Sequence, residues 1–279
     1  MIYIKYLALF LIATIPIIIM TSIIYFLDKE KEPKKLLILL FGSGILACIL
    51  SSLTITKLGN LFPILSTETS YLNNIELIFS VFVGTALIEE LSKWIMTYFI
   101  SYNNKYFDEL YDMVVYSAFV ALGFAYIENL FYVFNTGIIT GLYRGILAVP
   151  CHACTGIFMG YYLGISKLHS LLNDKKNMLK YVLLSIIYPI LIHGIYDYCL
   201  LTNNALFLVI FQAFVIIMYN YSKLYYCFLK KVWKSVATLL FIMIHFKNFI
   251  TRVFYFLIFK VHISKLKIFY ECFPKIISF

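Results

Sequence analysis

Gly84-Thr85-Ala86-Leu87-Ile88-Glu89-Glu90-Leu91-Ser92-Lys93-Trp94 sets two adjacent carboxylates and a lysine inside an apolar window running from about residue 76 to 98. An ionisable side chain near a bilayer centre costs roughly 2.5 to 3.5 kcal/mol on insertion scales, so three on one segment need compensation elsewhere in the fold. The remaining chain has to supply that compensation.

The surroundings are those of a membrane protein. Of 279 residues, 62% are hydrophobic and only 13% charged, and the mean hydropathy is +0.89. That is more apolar surface than a soluble core of this length needs. The formal net charge of +9 does not point to nucleic acid, because Lys and Arg lie between apolar runs and in the tail, with no basic helix interleaved for base stacking. The six cysteines are scattered and mostly within apolar runs, so no structural disulfides are expected. The apolar run from Tyr6 to Leu27 exceeds a signal-peptide core and reads as a retained first span.

A helix of about 20 residues crosses the hydrocarbon. Windows of that length fall at roughly 6 to 27, 36 to 55, 76 to 98, 112 to 134, 145 to 165, 179 to 200 and 205 to 222. An eighth, 236 to 259, carries His245, Lys247 and Arg252 and is either a poor span or an interfacial helix. The expected fold is all-α, a polytopic transmembrane helical bundle of seven or eight spans. Residues 1–222 would form the transmembrane domain, with a motif-bearing core at 76–200, and residues 223–279 a basic aromatic tail at the inner leaflet. Thirteen Lys in one set of alternate loops, against Lys5, Lys57 and Arg144 in the other, place the first set in the cytoplasm and the N-terminus outside. No internal repeat or soluble domain is visible, so function must sit within the membrane.

Four consecutive spans carry ionisable residues: Glu89, Glu90 and Lys93, then Glu128, then His152, then His193 and Asp197. Alternating helix direction brings the last four into the exterior halves of their helices, where they can converge on one cavity. Lys93 lies four residues after Glu89 and three after Glu90, within reach of both carboxylates. His193 and Asp197 are four apart, so the carboxylate can orient the imidazole. Gly156, Gly160 and Gly164 recur every four residues, a pattern that lets a neighbouring backbone approach closely. Cys151-His152-Ala153-Cys154 is a weak metal signal without a second CxxC, and no HExxH occurs. A proton-coupled transporter or a non-catalytic membrane scaffold would also bury a Glu/His/Asp network. The former commonly shows repeated halves, and none is present.

Glu89-Glu90-x-x-Lys93, then Asp112 with Gly123-Phe124-Ala125-Tyr126-Ile127-Glu128-Asn129, then Arg144 with Pro150-Cys151-His152 and Gly156, then His193-Gly194-Ile195-Tyr196-Asp197, resemble in order the motifs of the PrsW family of intramembrane proteases. The resemblance covers about residues 84 to 198. It implies a polytopic protease of the bacterial plasma membrane that cuts single-span membrane proteins, such as anti-sigma factors, on their exterior side. The family is distantly similar to type II CAAX prenyl endopeptidases, but the second motif here ends in Glu128 rather than His, which speaks against prenylated substrates. In this light Glu89 or Glu90 would activate water while Lys93 holds the other carboxylate charged. His152 and His193 would either bind a metal together with Glu128 or donate to the oxyanion, and Asp197 would orient His193. Two His and one Glu match a catalytic zinc set, while the related endopeptidases are also described as glutamate-dependent, so the resemblance leaves the cofactor Zn2+ open.

Overall fold

The computed structural model describes residues 2–202 apart from 29, 66 and 68–70, and within them the protein is helical throughout. The helices are α1 (Ile2–Leu27), α2 (Lys34–Leu61), α3 (Asn74–Phe79), α4 (Leu87–Ser101), α5 (Leu110–Thr136), α6 (Ile138–Ile146), α7 (Ala148–Leu171) and α8 (Lys175–Leu201). Five helical stretches, Tyr3–Leu27, Lys34–Leu61, Leu110–Thr136, Ile138–Leu171 and Lys175–Leu201, are long and apolar enough to cross a membrane. The charged run from α3 to α4 is not among them. The expected windows 205–222 and 236–259, and the tail 223–279, lie outside the described residues.

The expected third span is one helical run with a defect in it. Asn73 caps α3 with its side-chain oxygen on the amides of Ile75 and Glu76, and Glu76 returns the bond to Asn73. Between α3 and α4 the residues Ser80–Ala86 form a π-helix. Such turns take up an extra residue within an otherwise α-helical run. After it, Glu90, Lys93, Thr97 and Ser101 fall on one fully buried stripe at helical spacing. Thr97 and Ser101 satisfy their hydroxyls on the carbonyls four residues back. Trp94, Tyr98 and Tyr102 stack in sequence along another face, with ring centroids 4.8 and 4.6 Å apart.

α5 is the central helix. Every position from Asp112 to Ala125 is buried, as expected of a helix that is apolar on all sides. α7 packs against it through the predicted glycine series. A Cβ at Gly156 would meet Ser117 O and Ala118 Cα, one at Gly160 would meet Met113 O and Val114 Cα, and one at Gly164 would meet Leu110 O. Ser117 Oγ lies 2.7 Å from Gly156 O, a hydrogen bond across the same seam. α2 approaches another side of α5 as closely, with Gly44 against Val120 O and Gly123 against Phe41 O. Lipid offers no hydrophobic drive for helix pairing, so this backbone-to-backbone packing is what holds the bundle together.

The expected fifth span, 145 to 165, corresponds to α7, and a separate short helix, α6, precedes it. Gly137, at φ +97°, ends α5 in a conformation that side-chain-bearing residues rarely adopt. Leu147, at φ −113° and ψ −60°, separates α6 from α7. Pro150 comes in the first turn of α7, where its missing N–H costs nothing.

At the end of the bundle where α1 gives way to α2, Asp112 caps α5, its Oδ2 accepting from the amides of Asp108 and Glu109. The Tyr116 hydroxyl donates to Glu32 Oε2 at 2.5 Å. Burial pushes Glu32 from 4.5 up to about 7, helped by the nearby charges of Asp28 and Asp108 and opposed by the Tyr116 hydrogen bond.

This packing has two measurable outcomes. Gly160→Val should lower the thermal midpoint of the purified protein in detergent through overpacking worth about 1 to 3 kcal/mol, and an unchanged midpoint would contradict the α5–α7 seam. Because the folded chain keeps a proton on Glu32 that the unfolded chain releases near 4.5, that stabilisation is complete below 4.5 and is lost as pH rises through about 7. The midpoint should therefore fall between pH 5 and 8, and Glu32→Gln should flatten the fall.

Candidate active site

Four helices bring the seven predicted residues to one place. α4 supplies Glu89, Glu90 and Lys93, α5 supplies Glu128, α7 supplies His152, and α8 supplies His193 and Asp197. At the centre is the Lys93 ammonium, fully buried, 2.8 Å from Glu90 Oε1, 3.8 Å from Glu89 Oε2 and 3.1 Å from His152 Nδ1. It also sits 4.0 Å from the centroid of the Phe124 ring, a cation–π contact in a water-poor site.

Each histidine has one nitrogen held by a carboxylate. His152 Nε2 is 2.7 Å from Glu128 Oε2, and His193 Nδ1 is 2.8 Å from Glu90 Oε1. The proton on His152 can be assigned from its neighbours. A carboxylate only accepts and an ammonium only donates, so Nε2 carries the proton toward Glu128 while Nδ1 accepts from Lys93. His193 differs, because its Nε2 also faces carboxylates, Asp197 at 3.4 Å and Glu89 at 3.9 Å. It either carries a second proton there or offers that lone pair to a cation. The two imidazole rings stand 5.2 Å apart, edge to face.

Glu89, His152 and His193 each place a donor atom within 4.8 Å of the other two, a spacing that suits one metal ion, which would take the His152 Nδ1 lone pair in place of the Lys93 hydrogen bond. Two observations say that the group fits. Glu89 Oε2 is buried without a hydrogen-bond partner. The pocket also holds four carboxylates, Glu89, Glu90, Glu128 and Asp197, against two permanent cations, Lys93 and Arg144, an excess that a divalent ion would cancel. In this arrangement Glu128 and Glu90 stand behind the histidines, as the carboxylate partners of metal-binding imidazoles commonly do. The expected set of Glu128, His152 and His193 thus has Glu128 on the far nitrogen of His152, with Glu89 on the near side.

Burial grades across the site. Glu90 and Lys93 are fully enclosed, whereas the side chains of Glu128 and Asp197 are 19% and 22% exposed and mark the mouth. Arg144 and Asn129 were not among the expected site residues, yet Arg144 Nη2 lies 3.0 Å from Glu128 Oε2 and Arg144 Nε donates to Asn129 Oδ1 at 3.1 Å. Their signal in the sequence was an arginine on an exterior loop and an Asn beside Glu128. Asp112 of the same motif set is elsewhere, 16 residues before Glu128 on α5 and so about 24 Å away at 1.5 Å per residue.

Removing one member of a buried ion pair strands the other, at a cost of about 3 to 5 kcal/mol. Lys93→Met should therefore lower the thermal midpoint far more than Lys93→Arg, which keeps the charge, and equal effects of the two would show that the ammonium is not what the pocket depends on.

A family model described as PrsW family intramembrane metalloprotease matches residues 32–221. A Protease PrsW of Oceanobacillus iheyensis is 35% identical over 204 residues, 73% of this chain and 87% of its own length. A Protease PrsW of Clostridioides difficile is 32% identical over 216 residues, 76% and 87% of the two chains, and one of Geobacillus kaustophilus is 40% identical over 123 residues, 44% and 52%. No solved structure matches the chain. Since the family match takes in all four helices that meet around Lys93, the chain belongs to the PrsW family of intramembrane metalloproteases and is an intramembrane protease.

Proposed function

We propose that this protease hydrolyses peptide bonds of single-span membrane proteins, anti-sigma factors being one such class, near the exterior face of a bacterial plasma membrane. Its N-terminus would lie outside, its tail on the cytoplasmic leaflet, and its bundle would comprise seven or eight spans. The observation that carries the mechanism is the contrast between the paired glutamates. Glu90 Oε1 is engaged by both Lys93 and His193, whereas Glu89 Oε2 has only neighbours at 3.8 and 3.9 Å and no hydrogen bond. Glu90 is thus a fixed counter-ion, and Glu89 is the carboxylate left to take a proton.

In this reading Glu89 removes a proton from water as the water oxygen bonds to the scissile carbonyl carbon. His193 Nε2, held through Nδ1 by Glu90, meets the developing oxyanion as a charged donor. As the carbon–nitrogen bond breaks, Glu89 returns its proton to the departing amine, leaving a carboxylate end and a new amino terminus. A zinc-class ion held by Glu89, His152 and His193 would take the place of the proton on His193 Nε2, polarising the carbonyl and making water more acidic.

Cleavage of a single-span reporter by the purified protein tests this. Glu89→Gln should reduce the rate at least a hundredfold, and a variant that cuts at close to the wild-type rate would end Glu89's role. Metal analysis should find one equivalent per chain, lost in His193→Ala. An active, metal-free preparation would remove the zinc part.

A further inference from the structure

Arg144 rides on the nine-residue helix α6, which joins α5 to α7. Its guanidinium addresses one face of α5. It meets Glu128 Oε2 at 3.0 Å, Asn129 Oδ1 at 3.1 Å through Nε, and the Tyr132 ring at 4.1 Å from the centroid. These are positions i, i+1 and i+4 of a helix, a patch that a planar fork can span and a lysine cannot.

The partner that grips it is itself fixed. Asn129 is fully buried, and its Nδ2 donates to Ala13 O of α1 at 2.8 Å. With the amide nitrogen committed to a carbonyl, the oxygen must face Arg144 and can only accept. α6 does not depend on this charge for its seat. Gly141 packs on Ile12 and Val133, and Gly145 on the Pro16 ring, while Ile138, Ile139, Leu142, Tyr143 and Ile146 face outward.

Glu128 is what the arginine controls. Its Oε2 is shared by Arg144 and by His152 Nε2, yet its side chain lies at the mouth, where a carboxylate held from one side only would swing toward solvent or toward Glu89's neighbourhood. We propose that Arg144 is a positioning residue of the active site: gripped by Asn129, it pins the Glu128 carboxylate against His152 Nε2 and so holds the His152 ring in the orientation that turns Nδ1 toward Lys93. The consequence reaches the centre. With the proton held on Nε2, Nδ1 stays a lone pair that faces Lys93 and the Glu89–His193 side. The order Asn129, Arg144, Glu128, His152, Lys93 is a continuous relay of single-direction hydrogen bonds and ion pairs.

The test has one arm that needs no substrate and one that rests on the protease reading. Nitrogen-15 spectra of the full-length protein labelled at its five histidines, with the His152 signal identified by its loss in His152→Gln, should show a protonated Nε2 and an unprotonated Nδ1 in the wild type. Arg144→Gln should weaken the Nε2–H hydrogen bond to Glu128, moving the His152 Nε2 and Nε2-bound proton signals upfield while Nδ1 stays unprotonated, with the His193 signal changed less. Arg144→Lys, which keeps the charge but not the fork, should fall between the two and serves if the glutamine variant does not fold. In reporter cleavage, Arg144→Gln should lower kcat 10- to 100-fold with KM within about threefold, the range seen when the orienting partner of a site histidine is lost. Combined with Glu128→Gln, it should add nothing to the loss from Glu128→Gln alone. An unchanged His152 Nε2–H signal in Arg144→Gln, or rate losses that multiply in the double variant, overturns the positioning role. A wild-type protein that fails to cut the reporter defeats the substrate reading instead, and the spectra still decide Arg144.

Discussion

The Lys93 ammonium, enclosed with no exposed surface, is the constraint around which the rest of the protein is arranged. A cation in a low-dielectric interior is tolerated only with close partners of opposite sign and satisfied donors. Glu90 and Glu89 supply the charge from the same helix, His152 supplies an acceptor from α7, and Phe124 supplies a ring face from α5. Satisfying that one side chain therefore brings α4, α5 and α7 together, and Glu90 then recruits α8 through His193. The same short distances that stabilise the ammonium also leave little freedom to the two histidines, which suits a site that must be organised before substrate enters.

Much of this was legible in the sequence because the relevant physics is local. A bilayer's thickness sets helix length, so α1, α2, α5 and α8 stand close to the windows read from hydropathy. The spacing of Glu89, Glu90 and Lys93 places them together on any α-helix, and glycines four apart mark a seam on any helix pair. The unread features depend on tertiary context. Glu90 and His193 meet across 103 positions, and no spacing rule connects them. Nor does a hydropathy window register the positive-φ glycine at 137 and the turn at Leu147 that make α6 a separate helix bearing Arg144. The sequence also leaves Glu89 and Glu90 as interchangeable acids, and only geometry separates the one whose Oε1 is held by Lys93 and His193 from the one whose Oε2 has no hydrogen bond.

The two ends of the bundle solve the burial of acids in opposite ways. At the candidate active site, carboxylates are matched with Lys93, Arg144 and imidazoles. At the other end, Glu32, Asp108 and Asp112 gather with a tyrosine hydroxyl and backbone amides, and Glu32 answers by holding its proton to about 7. Asp112 belongs to the same sequence signature as Glu128 yet works as a helix cap. Motif membership alone therefore does not imply contact with the chemistry.

The π-helix at Ser80–Ala86 gives the α3–α4 run a reserve of length just ahead of the turn that carries Glu89 and Glu90. A residue lost from any α-helical part would rotate everything beyond it by about 100° and carry Glu90 and Lys93 out of the core. A residue lost within the π-turn would instead let the backbone relax to ordinary α geometry, leaving both flanking helices facing as before. This segment is accordingly the place in the run where a residue could be lost while the paired glutamates stay aimed at the two histidines.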